Sequence, residues 1–230
     1  HHEHDDEEEH DEHEDEHGEP EEHGITIEML RHALRAEVEL HRENSILPSL
    51  KLTVLGTDYR HTELENTGEI GTVFEQRTAS VEASTRLEPR DAGANAAFGV
   101  RAQYRDIETG GSLHTPSTRD VTLAGYLISE FGNGPMRFQA GVRYDWAHYA
   151  PQEESFIFVG GQFVPTRSRS FGSFSGSIGM LYEVTQTVRV GANFSRAYRT
   201  PDFNELYSIG PHLAANSYDV GDPAIDQETG

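Results

Sequence analysis

The chain has no cysteine. That absence excludes a disulfide framework and any thiolate metal site. Basic residues are scarce, 18 against 40 acidic ones, and the net charge of −22 argues against a nucleic-acid partner. No stretch of about 18 consecutive apolar residues occurs, so no helix can cross a membrane. Hydrophobic residues make up 35% of the chain, less than an ordinary soluble globular domain carries. Catalytic signatures are also missing: there is no G-x-S-x-G elbow, no thiol nucleophile, no P-loop and no dinucleotide fingerprint. A non-enzyme without a resident cofactor is expected. The first residue is His1 and the last is Gly230, and the chain is expected to be a fragment of a longer one.

The acid is concentrated. Residues 1–24 hold 14 of the 40 acids, no Lys or Arg, and seven of the 13 histidines, leaving a body of 26 acids and 18 bases. This segment has no apolar residue to anchor a core and is expected to be disordered. Imidazole and carboxylate both ligate divalent ions. His1, His2, His4, His10, His13, His17 and His23 follow no fixed spacing, which suggests several weak, interchangeable metal sites. A purely solubilising acidic tail is the plain alternative.

From Gly24 onward the pattern alternates with a period of two. In 28–40, Leu30, His32, Leu34, Ala36, Val38 and Leu40 share one face. In 136–148, Met136, Phe138, Ala140, Val142, Tyr144 and Trp146 oppose Arg137, Gln139, Gly141, Arg143 and Asp145. The windows 171–184 and 188–198 alternate likewise, and 49–65, 70–87, 95–107 and 118–131 complete a set of eight or nine strands. Short turns such as Gly132-Asn133-Gly134-Pro135 alternate with long loops such as Pro151 to Ser168. Strands this long, with one apolar and one polar face, suit an antiparallel transmembrane β-barrel of which this is a part. Tyr149, Trp146 and Tyr198 are expected at its aromatic girdle. A soluble metal-binding β-sandwich and a small passive outer-membrane barrel are the alternatives.

One block is more specific. Arg199-Thr200-Pro201-Asp202-Phe203-Asn204-Glu205-Leu206-Tyr207-Ser208 resembles the R-x-P-x-x-x-E-L-Y-S signature of TonB-dependent outer-membrane receptors. Gly210-Pro211-His212 and Tyr218-Asp219-Val220-Gly221-Asp222-Pro223 continue the likeness, with Asp219 where the family often has Glu and Ala214-Ala215 where Ala-Thr is frequent. The stretch Asp58 to Glu65, then Gly71 to Phe74, together with a His- and acid-rich loop, is similar to the zinc-uptake subgroup. The resemblance implies a 22-stranded barrel in the Gram-negative outer membrane, an N-terminal plug and a TonB energy-transducing partner. It also implies import of a metal ion, zinc foremost, with a metal chelate, siderophore or cobalamin as the alternative cargo.

The resemblance further implies barrel-wall ligands. The matching positions are His61, Glu63 and Glu65, which share parity, and His212. Asp58 could add a carboxylate. His32, His41, His114 and His148 are read as structural, as is a buried Arg196, Arg199 and Glu205 set at the barrel-to-loop transition.

Overall fold

The computed structural model describes residues 25–43, 45–65, 67–87, 94–132, 134–212 and 216–230. The histidines of residues 1–24 lie outside the described residues.

Eight long strands follow one another along one antiparallel sheet. They are β1 (Thr26–His41), β2 (Ser49–Leu64), β3 (Ile70–Leu87), β4 (Ala94–Gly111), β5 (Thr118–Phe131) and β6 (Met136–Pro151), then β9 (Arg169–Glu183) and β10 (Arg189–Arg196). The loop between β6 and β9 holds a small hairpin, β7 (Phe156–Val159) and β8 (Gln162–Pro165). Sequence reading gave that loop no strands. Gly160 and Gly161, with φ of 59° and 82°, make its turn, as two-residue hairpin connections require.

Alternation sorts the side chains onto two faces. One face carries Leu34, Val54, Val100, Leu127, Phe174 and Phe194, all exposed. Among the described residues no second sheet covers them, which removes the sandwich alternative. The other face carries Lys51, Glu82, Arg101, Gln103, Arg143, Asp145 and a serine row, Ser173, Ser175 and Ser177. This is the inner face, onto which the C-terminal segment folds back.

The pairing register shows strand tilt. One row of facing residues runs Leu40, Leu50, Thr85, Phe98, Leu127, Val142, Gly176 and Arg196. On β1 this row closes the lower end of the apolar face, at Leu40. On β10 it stands at the upper end, where Phe194 gives way to Arg196. The apolar band therefore slides along the strands from one edge of the sheet to the other, as it must when tilted strands cross one level belt. Above the band the outer face turns charged on one row: Asp58, Arg77, Asp106 and Arg119. Asp58 thus points away from the inner face and leaves the candidate ligands.

After β10 the chain crosses the inner face as a strap. It comprises β11 (Tyr198–Arg199), helix α1 (Phe203–Tyr207), the hairpin β12 (Ile209–His212) with β13 (Ser217–Val220), and β14 (Glu228–Thr229), which pairs with β11. Phe203, Leu206 and Tyr207 are buried against Ile107, Ala147, Tyr149 and Phe171 on the wall. Tyr149 therefore sits in this core, edge-on to Phe171, and not in an outer girdle. Its odd number already sets it on the face opposite Trp146. Five residues are too few for a helix to persist alone. Here Asp202 caps it, and Glu205 completes a capping box by accepting from the Asp202 backbone N–H at 2.8 Å.

Arg199 grips Glu205 with two hydrogen bonds, of 2.7 and 2.8 Å, and Glu228 with a third of 2.9 Å. These groups are exposed, so the set is not buried as the sequence suggested, and Arg196 instead lies over the Tyr198 ring. The hydrogen bonds from Arg199, aided by the Asp202 backbone N–H, hold the Glu205 carboxyl below its ordinary range. A depressed carboxyl stabilises above its unfolded pKa and loses that contribution as pH falls through the folded one. Hydrogen exchange of α1 is expected to speed up as pH drops below about 4 relative to neighbouring wall strands, beyond the intrinsic pH dependence, and Glu205→Gln should flatten that response.

Gly221 lies against the end of α1. A Cβ there would come within 2.7–2.8 Å of the Tyr207 and Ser208 backbone nitrogens and the Leu206 carbonyl carbon, which no rotamer change relieves. Gly221→Ala is expected to weaken strap docking by about 1–3 kcal/mol, seen as faster limited proteolysis within 197–230 while the wall strands stay protected.

Candidate functional site

The upper end of β2 delivers His61 and Glu63 to the inner face by simple alternation. Glu63 pairs across the ladder with Thr72 on β3, and a register shift follows between Glu63 and Leu64. Glu65 lies beyond the strand, exposed, with its backbone N–H bonded to the Glu69 carbonyl, so the expected three-residue ladder ends at Glu63.

The strap brings the other half. The Ile209 N–H donates to Thr115 Oγ1 at 2.9 Å and the His114 N–H donates to the Ile209 carbonyl at 2.8 Å, pinning β12 to the loop between β4 and β5. The β12–β13 hairpin then places His212 over the wall. Its Nε2 lies 3.7 Å from Glu63 Oε1, and its Nδ1 lies 3.3 Å from Asp219 Oδ2. His61 Nε2 approaches the same Glu63 oxygen at 3.5 Å. Residues 149 positions apart in sequence, Glu63 and His212, thus meet at the seam between wall and strap.

Glu63 is the unusual member. Its side chain is only 1% exposed, and Oε2 has no hydrogen-bond partner. His61 Nε2 and Thr72 Oγ1 are likewise buried without partners. A buried carboxylate facing two imidazoles is costly unless something cationic compensates it. Two nitrogens and two carboxylates are also a donor set suited to a first-row divalent ion. They are spaced as neighbours and not as a closed coordination shell: among the described residues no group of three or more such donors is arranged to hold a metal ion.

A second polar centre locks the strap down. Arg105 on β4 donates to Asp120 Oδ2 on β5 at 2.8 Å and to Asp202 Oδ1, the cap of α1, at 2.6 Å. Its guanidinium lies over the Phe203 ring, 5.8 Å from the centroid. Tyr207 donates to the Arg167 carbonyl at 2.7 Å, and burial pushes its hydroxyl up to about 12, so it remains a donor. Arg169 donates to the Pro223 and Ile225 carbonyls.

Sequence reasoning named His61, Glu63 and His212, which the fold brings together, and missed Asp219, Thr72, Arg105 and Asp120. Asp219 falls in the same motif as His212, seven residues on, and the hairpin spacing was the available signal. His148 stacks on Trp146 and bonds Ser170 on the outer face; His32 also faces outward, and His41 lies beside Glu39 at the far end of β1.

Comparison with known proteins agrees with this architecture. The family described as "TonB dependent receptor-like, beta-barrel" matches residues 30–230. A TonB-dependent heme receptor A of Haemophilus influenzae is 30% identical over 126 residues, covering 50% of this chain and 16% of that protein. Two solved structures share the fold. The Serratia marcescens hemophore receptor HasR, as a double mutant with its hemophore and heme, aligns at TM-score 0.71 and 15% identity over 89% of this chain and 35% of its own. The copper transporter OprC aligns at TM-score 0.68 and 14% identity over 86% of this chain and 35% of its own. The chain spans about a third or less of the length of these relatives. The inward strap, the tilted two-faced sheet and the matched 201 residues together place the chain in the TonB-dependent receptor β-barrel family.

Proposed function

We propose that this chain is part of the barrel of a TonB-dependent receptor that imports a metal ion, zinc foremost, across the outer membrane. The observation that carries the reading is Glu63: a buried carboxylate with an unpaired oxygen, facing His61 and His212 at the strap–wall seam. A divalent cation would compensate that charge and recruit both imidazoles and Asp219, the donors drawing inward around it. The exposed apolar band and its tilted register support an outer-membrane setting, and family membership supports coupling to a TonB complex and lipid contact.

Residues 1–24 supply a second tier. Seven imidazoles among 14 carboxylates would hold metal weakly at the surface and raise its local concentration near the mouth. The side of the sheet on which this segment enters β1 is also the side of the strap and the β6–β9 loop, so capture and binding would share one face of the membrane.

A metal chelate is the second reading. It is favoured by the relatives' names, a heme receptor and a hemophore receptor, and by Phe156, Phe158 and Phe163, which expose one apolar face of the β7–β8 hairpin. A titration of the full receptor decides between them. Zinc binding weakened about 10- to 100-fold by Glu63→Gln and by His212→Ala supports the ion. Unchanged zinc affinity, with heme binding intact, supports the chelate.

Deleting residues 1–24 is expected to slow zinc uptake at scarce metal and leave it unchanged at plentiful metal. Equal uptake at every concentration would remove the capture role.

A further inference from the structure

We propose that Arg105 is a positioning residue: by clamping Asp202 to the wall, it sets where the strap holds His212 over Glu63 and so sets the affinity of the seam. The inference rests on the metal-site reading above and adds a control point remote from the donors themselves.

The geometry runs in three steps. First, Arg105 is the bridge between wall and strap at the start of α1. It is 15% exposed and bonds one oxygen of Asp120, whose side chain is fully buried, together with Asp202, 97 residues away in sequence. The planar fork of a guanidinium can serve two carboxylates at once, which an ammonium cannot do with the same geometry.

Second, α1 and the β12–β13 hairpin are tied into one unit. The Gly221 N–H donates to the Ser208 carbonyl at 2.7 Å, and the Asp222 N–H donates to the Glu205 carbonyl at 2.8 Å. Gly221 packs on the Leu206–Ser208 backbone with no room for a Cβ. The hairpin therefore has little freedom to swing independently of the helix, and a displacement at Asp202 is carried to His212.

Third, apart from the pin of Ile209 to the loop between β4 and β5, three residues before His212, nothing at the seam corrects such a displacement. His212 touches the wall donors only through the long 3.7 Å approach to Glu63, and neither Glu63 Oε2 nor His61 Nε2 has a hydrogen bond to hold a fixed geometry. A small error in strap position becomes an error in donor spacing, to which metal affinity is sensitive.

The test is a double-mutant cycle on zinc binding by the full-length receptor in detergent. Arg105→Lys retains the charge that Asp120 needs while losing the fork. Asp202→Asn retains the oxygen that caps α1 while losing the charge that Arg105 grips. Each is expected to weaken zinc binding about three- to tenfold in the natural background, the range of coupling between residues that share a network. In a His212→Ala background each should change affinity by less than about 1.5-fold, because the donor they position is gone. Equal losses in both backgrounds would overturn the proposal, since the two residues would then act through the fold at large. No loss in the natural background, where His212→Ala itself weakens binding, would overturn it while leaving the metal site standing. Unchanged affinity in His212→Ala alone would overturn the site reading and this inference with it.

Discussion

The two-residue pleat of the strand is the constraint from which the rest follows. Each residue is committed to the inner or the outer face, and neighbours along a strand cannot share one. With Leu34, Val100 and Phe194 on an uncovered apolar face, every polar function must be built on the other. That face is wide and shallow, and a side chain on a bare sheet cannot be desolvated. Burial has to be brought from elsewhere in the chain, and the strap brings it. Glu63, Asp120, Thr72 and Ser173 are all inner-face polar residues, all buried, and all lie in the part of the sheet nearest the strap.

The strap is itself marginal. A five-residue helix forms only because its surroundings complete it. Burying Phe203, Leu206 and Tyr207 contributes about 1.5–3 kcal/mol each, and the Asp202 cap adds about 1 kcal/mol. These gains are shared between two jobs. The R-x-P-x-x-x-E-L-Y-S block resembles a single motif, yet its residues divide cleanly. Phe203, Leu206 and Tyr207 face the wall, Arg199 and Glu205 brace the strap against its own return strand, and Asp202 does both by capping the helix and meeting Arg105.

Much of the wall was legible because period-two patterning is local. The windows 70–87 and 118–131 coincide with β3 and β5, and 49–65 differs from β2 by one residue. Failures came where a local rule was overlooked or where the deciding contact is distant. Tyr149 was given the wrong face, and Asp58 was offered as a further carboxylate, although parity alone places each opposite to its expected neighbours. The β7–β8 hairpin was missed because two four-residue strands carry little periodicity, though the Gly160-Gly161 pair was the proper turn signal. Glu65 kept the parity of Glu63 but not the strand, since the register shift after Glu63 ends the alternation. Arg105 was beyond reach: as one of several inner-face arginines it has no sequence feature that predicts a partner 97 residues later.

The seam also couples two equilibria. Glu63 is buried because the strap lies over it, so the same docking that brings His212 near also strips water from the carboxylate. Without a cation, the docked strap leaves Glu63 Oε2 buried without a partner; without the strap, the wall offers His61 and Glu63 to solvent and loses the remaining donors. A divalent ion at the seam would remove the cost that opposes docking, and docking would supply the ligands that hold the ion. By linkage the two must favour each other by the same free energy. With an ion bound there, strap position would be a property of the occupied seam as much as a support for it, and whatever moved the strap away from the wall would free the ion in the same step.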